Sequence, residues 1–185
     1  VLASGEYTTI TLNADGSQSV AAWQTLSASL ATARAELPGF VVTGGDTPVI
    51  PAGEVYLFFG PGDDGSGADG IMEVQRMGAN GDLASLIDTG TPRPPATAGS
   101  AGMAANGFLF LFGGRNGSPS NNDWSGDLVA PLPNIDLDSG GSLGGGGMLT
   151  PRQYQGATQE SAFFFIAGGT TDVDAASATV EQTVQ

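Results

Sequence analysis

Nearly all the side chains here that could do chemistry are carboxylates. Nineteen Asp and Glu stand against five arginines, and histidine, cysteine and lysine are absent. That inventory rules out a Ser-His-Asp or Cys-His nucleophile pair, a lysine Schiff base, and any imidazole or thiolate metal site within these residues. Carboxylate-pair glycoside chemistry survives in principle, but no spacing singles out a pair. The acids gather on glycine-rich turns: "GPGDDGSGADG" (60 to 70), "NIDLDSGG" (134 to 141) and "TTDVDAAS" (170 to 177) carry Asp63, Asp64, Asp69, Asp136, Asp138, Asp172 and Asp174. Such oxygen-rich loops suit calcium, yet the twelve-residue EF-hand spacing with its closing glutamate is missing. Asp and Gly are standard turn formers, so solvated turns are the expectation and no cofactor is assigned.

The candidate binding residues are Asp63, Asp64, Arg115, Asn116 and Trp124. The last three sit in "GGRNGSPSNNDWSGD" (113 to 127), a long polar stretch in which an exposed tryptophan would serve as a contact. The other reading is that Trp124 opens the next strand and packs inward; the sequence leaves both open. Arg34, Arg93 and Arg152 recur 59 residues apart in "TAR", "TPR" and "TPR". One position per repeat should place them around a ring, where each supports a strand end through local carbonyls or carboxylates rather than converging on an anion.

The net charge of −14 disfavours nucleic acid, which needs phosphate-neutralising cations, and favours cationic, neutral or metal-bearing partners. Without cysteine, the redox compartment is not legible. The chain opens on Val1 with no basic segment before an apolar run, so a targeting segment is expected to have been removed or never included. Its apolar stretches reach about half a dozen residues, far short of the ~20 of a membrane helix, so no transmembrane segment is expected. Acidity with arginine in place of lysine suits an exported protein, periplasmic or extracellular, from a GC-rich or salt-adapted organism.

The elements that must position these residues are short apolar runs closed by glycine: "EVYLFFG" (54 to 60), "FLFLFGG" (108 to 114) and "AFFFIAGG" (162 to 169). Their β-branched and aromatic content and their turn boundaries predict buried strands, and they argue against disorder despite thirty glycines and eleven prolines. Only 19 to 37, "SVAAWQTLSASLATARAEL", resembles a helix, and its Ser and Thr content favours a strand and a connection. Gly60, Gly114 and Gly169 are 54 and 55 residues apart, so with the arginines the chain reads as an internal repeat of about 55 to 60 residues. Gly113–Gly114 and Gly168–Gly169 close the aromatic strands where side chains would clash. Each unit accommodates four strands, with the aromatic one buried on both faces between neighbouring sheets.

The segment "MLTPRQYQGATQESAFFFIAGGTTDVDAASATVEQTV" (148 to 184) resembles a kelch repeat: an arginine before the first strand, a hydrophobic second strand ending on Gly-Gly, a variable loop and a "VE" third strand. Residues 92 to 132 match it, with the third strand at "GDLVAPL". In the first full copy "VVTGGD" (41 to 46) and "YLFFGPGDD" (56 to 64) compete for the Gly-Gly role; the second is taken as the strand end and the first as an insertion. Trp23 stands where the family has a fourth-strand tryptophan, while later copies offer Ile87 and a glycine run. The resemblance implies an all-β chain of four-stranded antiparallel propeller blades, one repeat domain over 1–185 with units 1–33 (partial), 34–92, 93–151 and 152–185 (partial). Beginning and ending on third strands, "GEYTTITL" and "VEQTVQ", it reads as about three blades where closed propellers have about 4 to 8, hence an incomplete or open propeller. Open edges invite pairing, so the expected partner is another protein chain or the rest of a longer chain, with a glycan as a further ligand class. The copper-radical oxidase chemistry known on kelch-type propellers lacks its residues here. The expectation is a non-catalytic binding or scaffolding module, an exported accessory subunit; the alternative is part of a secreted kelch-like carbohydrate-active enzyme with its catalytic residues elsewhere.

Overall fold

The computed structural model describes residues 2–45, 50–88, 94–128, 147–172 and 175–184, and every regular element among them is a β-strand. A long hairpin comes first. Strand β1 (Leu2–Tyr7) pairs antiparallel with β4 (Gln24–Arg34), and β2 (Ile10–Leu12) with β3 (Gln18–Val20) extends the hairpin outward. The helix-like stretch is therefore a strand. Next is a four-stranded meander of β5 (Gly39–Thr43), β6 (Val55–Phe59), β7 (Glu73–Arg76) and β8 (Ile87–Asp88). A three-stranded sheet follows, made of β9 (Ala101–Ala105), β10 (Phe108–Phe112) and β13 (Asp123–Asp127), with a hairpin of β11 (Arg115–Asn116) and β12 (Ser118–Pro119) inserted before β13. The last sheet joins β14 (Gly156–Glu160), β15 (Phe163–Ala167) and β18 (Val180–Val184), with β16 (Thr170–Asp172) and β17 (Ala175–Ala176) as the matching insert.

Side-chain alternation explains "FLFLF". Successive residues of a strand face opposite sides. Leu109 and Leu111 enter one core with Phe40, Val42, Phe58, Val74 and Trp124, while Phe110 and Phe112 enter a second with Phe164, Ile166 and Met148. Strand β10 is thus buried on both faces between two neighbouring sheets, as its unbroken apolar run requires. At its end Gly113 and Gly114 have φ of 60° and 89°. A Cβ on Gly114 would lie 2.2 Å from Thr97 Oγ1, so both the backbone conformation and the space demand glycine.

Three expectations are corrected. "VVTGGD" is no insertion: β5 pairs with β6 from Gly39↔Phe59 to Thr43↔Val55, and it alternates buried Phe40 and Val42 with exposed Val41. The third strand of the second sheet is β13, which begins three residues ahead of "GDLVAPL" and ends at Asp127, because Trp124 supplies its apolar anchor opposite Leu111; residues 129 to 132 of that segment lie outside the described residues. Trp23 lies between β3 and β4 and is 66% exposed, so it is no buried fourth-strand residue. Ile87 does fall on a fourth strand, paired with Val74. The glycine run of the next copy lies outside the described residues.

The hairpin docks on the first sheet through polar clasps. The Ser27 N–H and hydroxyl donate to the Asp82 carboxylate at 2.9 and 2.5 Å, and the Ala31 N–H donates to Glu73 Oε2 at 2.9 Å. None of the described residues forms a helix long and apolar enough to cross a membrane.

Candidate functional site

The recurring arginines occupy sockets at strand ends. The Arg34 side chain, fully buried, gives Nη1 to Glu73 Oε1 at 2.7 Å, Nε to the Gly60 carbonyl at 3.2 Å and Nη2 to the Phe59 carbonyl at 3.3 Å. Arg152 repeats this two units further on. Its Nη1 donates to the carbonyls of Gly168 and Thr179 at 3.0 and 3.1 Å, and its Nη2 reaches Thr179 Oγ1 at 2.7 Å and Glu181 Oε1 at 2.5 Å. Both arginines thus tie the end of a second strand to a glutamate on or beside the third, in β7 and β18. Arg93 lies outside the described residues. In the sheet between, the position is filled by buried Thr97, whose hydroxyl donates to the Gly113 carbonyl at 3.3 Å. The equivalent carbonyls are therefore Gly60, Gly113 and Gly168, and the even 59-residue arginine spacing does not coincide with the structural repeat.

Just beyond each socket the chain makes the same crossing. Paired backbone hydrogen bonds join Ala35 to Asp63, Ala98 to Arg115 and Gln153 to Thr170. The residue after each crossing is left-handed: Glu36 at φ 58°, Gly99 at 66° and Tyr154 at 58°. These three are strung together, the Gly99 N–H donating to the Glu36 carbonyl and the Tyr154 N–H to the Gly99 carbonyl, each at 2.7 Å. Non-glycine residues in this region cost about 1 to 3 kcal/mol each, so the surrounding contacts must hold them there.

Two of the residues singled out in the sequence meet at this chain of contacts. Arg115 Nη2 bridges Glu36 Oε2 at 2.9 Å and Asp63 Oδ2 at 3.0 Å, spanning two neighbouring sheet units. The hydrogen-bonded Tyr154 side chain, opposed by burial and aided by Glu36 and Asp63, holds the guanidinium above the ordinary arginine range. The Gly65 N–H, opposed by burial and aided by Arg115, holds the Asp63 carboxyl below its usual value. Facing two carboxylates, Arg115 is a latch and not an anion fork.

The other candidates separate. Asp64 is exposed and caps its own turn by accepting the Ser66 N–H at 2.7 Å. Asn116 lines a cavity of about 210 Å³ with Thr97, Ser120, Asn122 and Trp124. Trp124 itself is 4% exposed, which withdraws it as an exposed contact: alternation along β13 turns it into the core. Asp69 Oδ1 accepts the N–H groups of Gly62 and Ile71, a turn role. Asp136, Asp138 and Asp174 lie outside the described residues. Among the described residues no three carboxylates converge on a metal position. Glu36, Gly99, Tyr154, Glu73 and Glu181 were not singled out. The available signal was a glutamate in both "MEVQ" and "VEQT", waiting for an arginine partner.

The Arg152 socket carries a pH dependence. Burial works to raise the Glu181 carboxyl, but the N–H of Leu149, the guanidinium of Arg152 and the side chain of Thr150 outweigh it, and the net shift is downward. A carboxylate depressed in the folded state adds stability that is complete above its unfolded value, ~4.3, and is lost as pH falls through the folded value. Melting temperature should therefore fall on acidification below about pH 5, with a shallower fall in Glu181→Gln. Parallel curves for the two proteins would remove Glu181 from the acid response.

No protein-family model matches the sequence, and neither does any curated protein.

Proposed function

We propose that the chain is a non-catalytic binding or scaffolding module whose sheets are blades of a kelch-like propeller completed by further strands. The repeated crossing supports the blade reading: one socket, one bridge and one left-handed residue per unit, each unit linked to the next through the Glu36, Gly99 and Tyr154 backbone. Radial repetition of small sheets is how propellers limit exposed edges. Binding in place of catalysis is supported by where the charges go. All four described arginines, Arg34, Arg76, Arg115 and Arg152, are engaged by carboxylates.

The observation that carries the binding role is the outer hairpin. Ile10, Leu12 and Val20 are 62%, 72% and 61% exposed, and Trp23 beside them is 66% exposed. Ile10 pairs directly with Val20, and Leu12 lies two residues along, so the three share one face. Apolar side chains gathered on one projecting hairpin mark an interaction surface. A photo-crosslinking residue at position 12, introduced in the producing cells, should capture a protein neighbour, whereas the same residue at exposed Glu160 should not. Equal capture at both positions, or none at 12, removes the protein-binding reading. Retention on immobilised glycans without a protein crosslink would transfer the surface to a glycan. The exported location belongs to the same proposal, and a membrane-impermeant carboxylate reagent should modify the protein on intact cells.

A further inference from the structure

The hairpin has a second, unlike edge. Among the described residues β1 pairs with β4 alone, and its outer edge meets no second strand. Strand β4, by contrast, has N–H groups at Ser27 and Ala31 taken by the Asp82 and Glu73 carboxylates of the neighbouring sheet. One edge is blocked by acids, and the other is open to a strand. Two adjoining cavities of about 320 and 590 Å³ run along the whole of β1 and share Gly5, Leu26 and Phe59. Their far wall is apolar, with Leu37, Leu57, Met77 and Leu83 from the first sheet and its flanks. An open edge beside an apolar trough is the geometry of β-augmentation: main-chain hydrogen bonds supply affinity, and alternate side chains fill the trough.

Resting on the binding role proposed above, we infer that β1 and this trough accept an extended strand from a separate, basic polypeptide that alternates apolar and polar residues. Charge decides the occupant. No arginine or lysine precedes Arg34, the exposed face of β1 carries Glu6, and the chain as a whole has a net charge of −14. A second copy would bring the same charge to the same edge, whereas a cationic strand is steered toward it. The six residues of β1 offer roughly 20 Å of pairing at ~3.3 Å per residue.

The test uses synthetic peptides of alternating valine and threonine, flanked by arginines or by glutamates and labelled with fluorescein. The arginine-flanked peptide should raise fluorescence anisotropy on mixing, bind about tenfold more tightly than its glutamate-flanked twin at low salt, and slow hydrogen exchange at residues 2 to 7. Glu6→Arg, at an exposed position that leaves the fold intact, should narrow that preference at least roughly threefold. Leu26→Asp should abolish binding of both peptides while the melting curve remains cooperative. Indifference to peptide charge, or protection confined to other strands, overturns the inference. So does slow exchange, without peptide, at the amides of residues 2 to 7 that face away from β4: with a dimer in sedimentation the occupant is a second copy, and with a monomer it is a segment of the chain itself. Crosslinking at position 12 is independent of all these outcomes, so the wider binding role stands or falls on its own.

Discussion

Arg34→Ala is expected to cost about 3 to 5 kcal/mol, a large share of the ~5 to 15 kcal/mol that holds a domain folded. The Arg34 and Glu73 side chains are both fully buried, and alanine would leave the carboxylate facing low dielectric with the Ala31 N–H at Oε2 as its partner among the described residues. The guanidinium also satisfies the carbonyls of Phe59 and Gly60, each of which would lose a donor, the Gly60 contact being the buried one. Most of the loss is therefore the penalty of an orphaned charge rather than the worth of the pair, and a double variant separates the two. Arg34→Met with Glu73→Gln removes both charges, keeps an acceptor for Ala31, and should recover more than half of the loss. Arg76→Ala breaks an ion pair of equal length, 2.7 Å to Glu54, whose arginine is 57% exposed, and should cost under about 1 kcal/mol. Urea unfolding of the four proteins measures all these quantities, and a loss at Arg34 no larger than at Arg76 would show that the socket is not what holds the strand ends.

What the sequence reveals and what it conceals divide along physical lines. Strands written as compact apolar runs are legible, because burial leaves little room for polar residues: "FLFLF" and "FFFI" are found where expected, with their glycines at positive φ, although the two-face burial expected of each aromatic strand holds for β10 and not for β15, which keeps Phe163 exposed. The all-β class follows from the same runs. Register between repeats is less legible, because it depends on which carbonyl a side chain reaches across 16 to 26 residues. Arg34 and Arg152 share a socket, yet the residue between them in the structural series is Thr97, a short donor that no composition pattern connects with arginine. Trp124 shows a different limit. A tryptophan within a polar run fits either a loop or a strand start, and only its pairing with Leu111 decides. The Arg115 latch to Glu36 and Asp63 joins residues 79 and 52 positions apart, a distance at which sequence proximity carries no information.

Phe164→Ala should be the most damaging core substitution at the far end of the chain, costing about 3 to 5 kcal/mol. Phe164 is wholly buried and lies between two rings of the neighbouring sheet, 4.7 Å from Phe110 and 5.6 Å from Phe112 by ring centroids. It contributes the shared wall between two sheets, so the cavity would open along an interface that few other residues can close. The preceding residue points the other way: Phe163 is 38% exposed, and Phe163→Ala should cost no more than about 1 kcal/mol. Adjacent phenylalanines with unlike costs are what a strand with one dry face and one wet face demands. Hydrogen exchange adds a spatial reading. In Phe164→Ala the amides of β14, β15 and β18 should open at lower free energy than those of β5 to β7, because the lost contact joins the last sheet to the rest. Uniform weakening of every strand would instead mean that the sheets fold as one indivisible unit. Equal costs at 163 and 164 would mean that the last sheet does not present the Phe164 face to β10, and the stacking of successive sheets would have to be redrawn from that point.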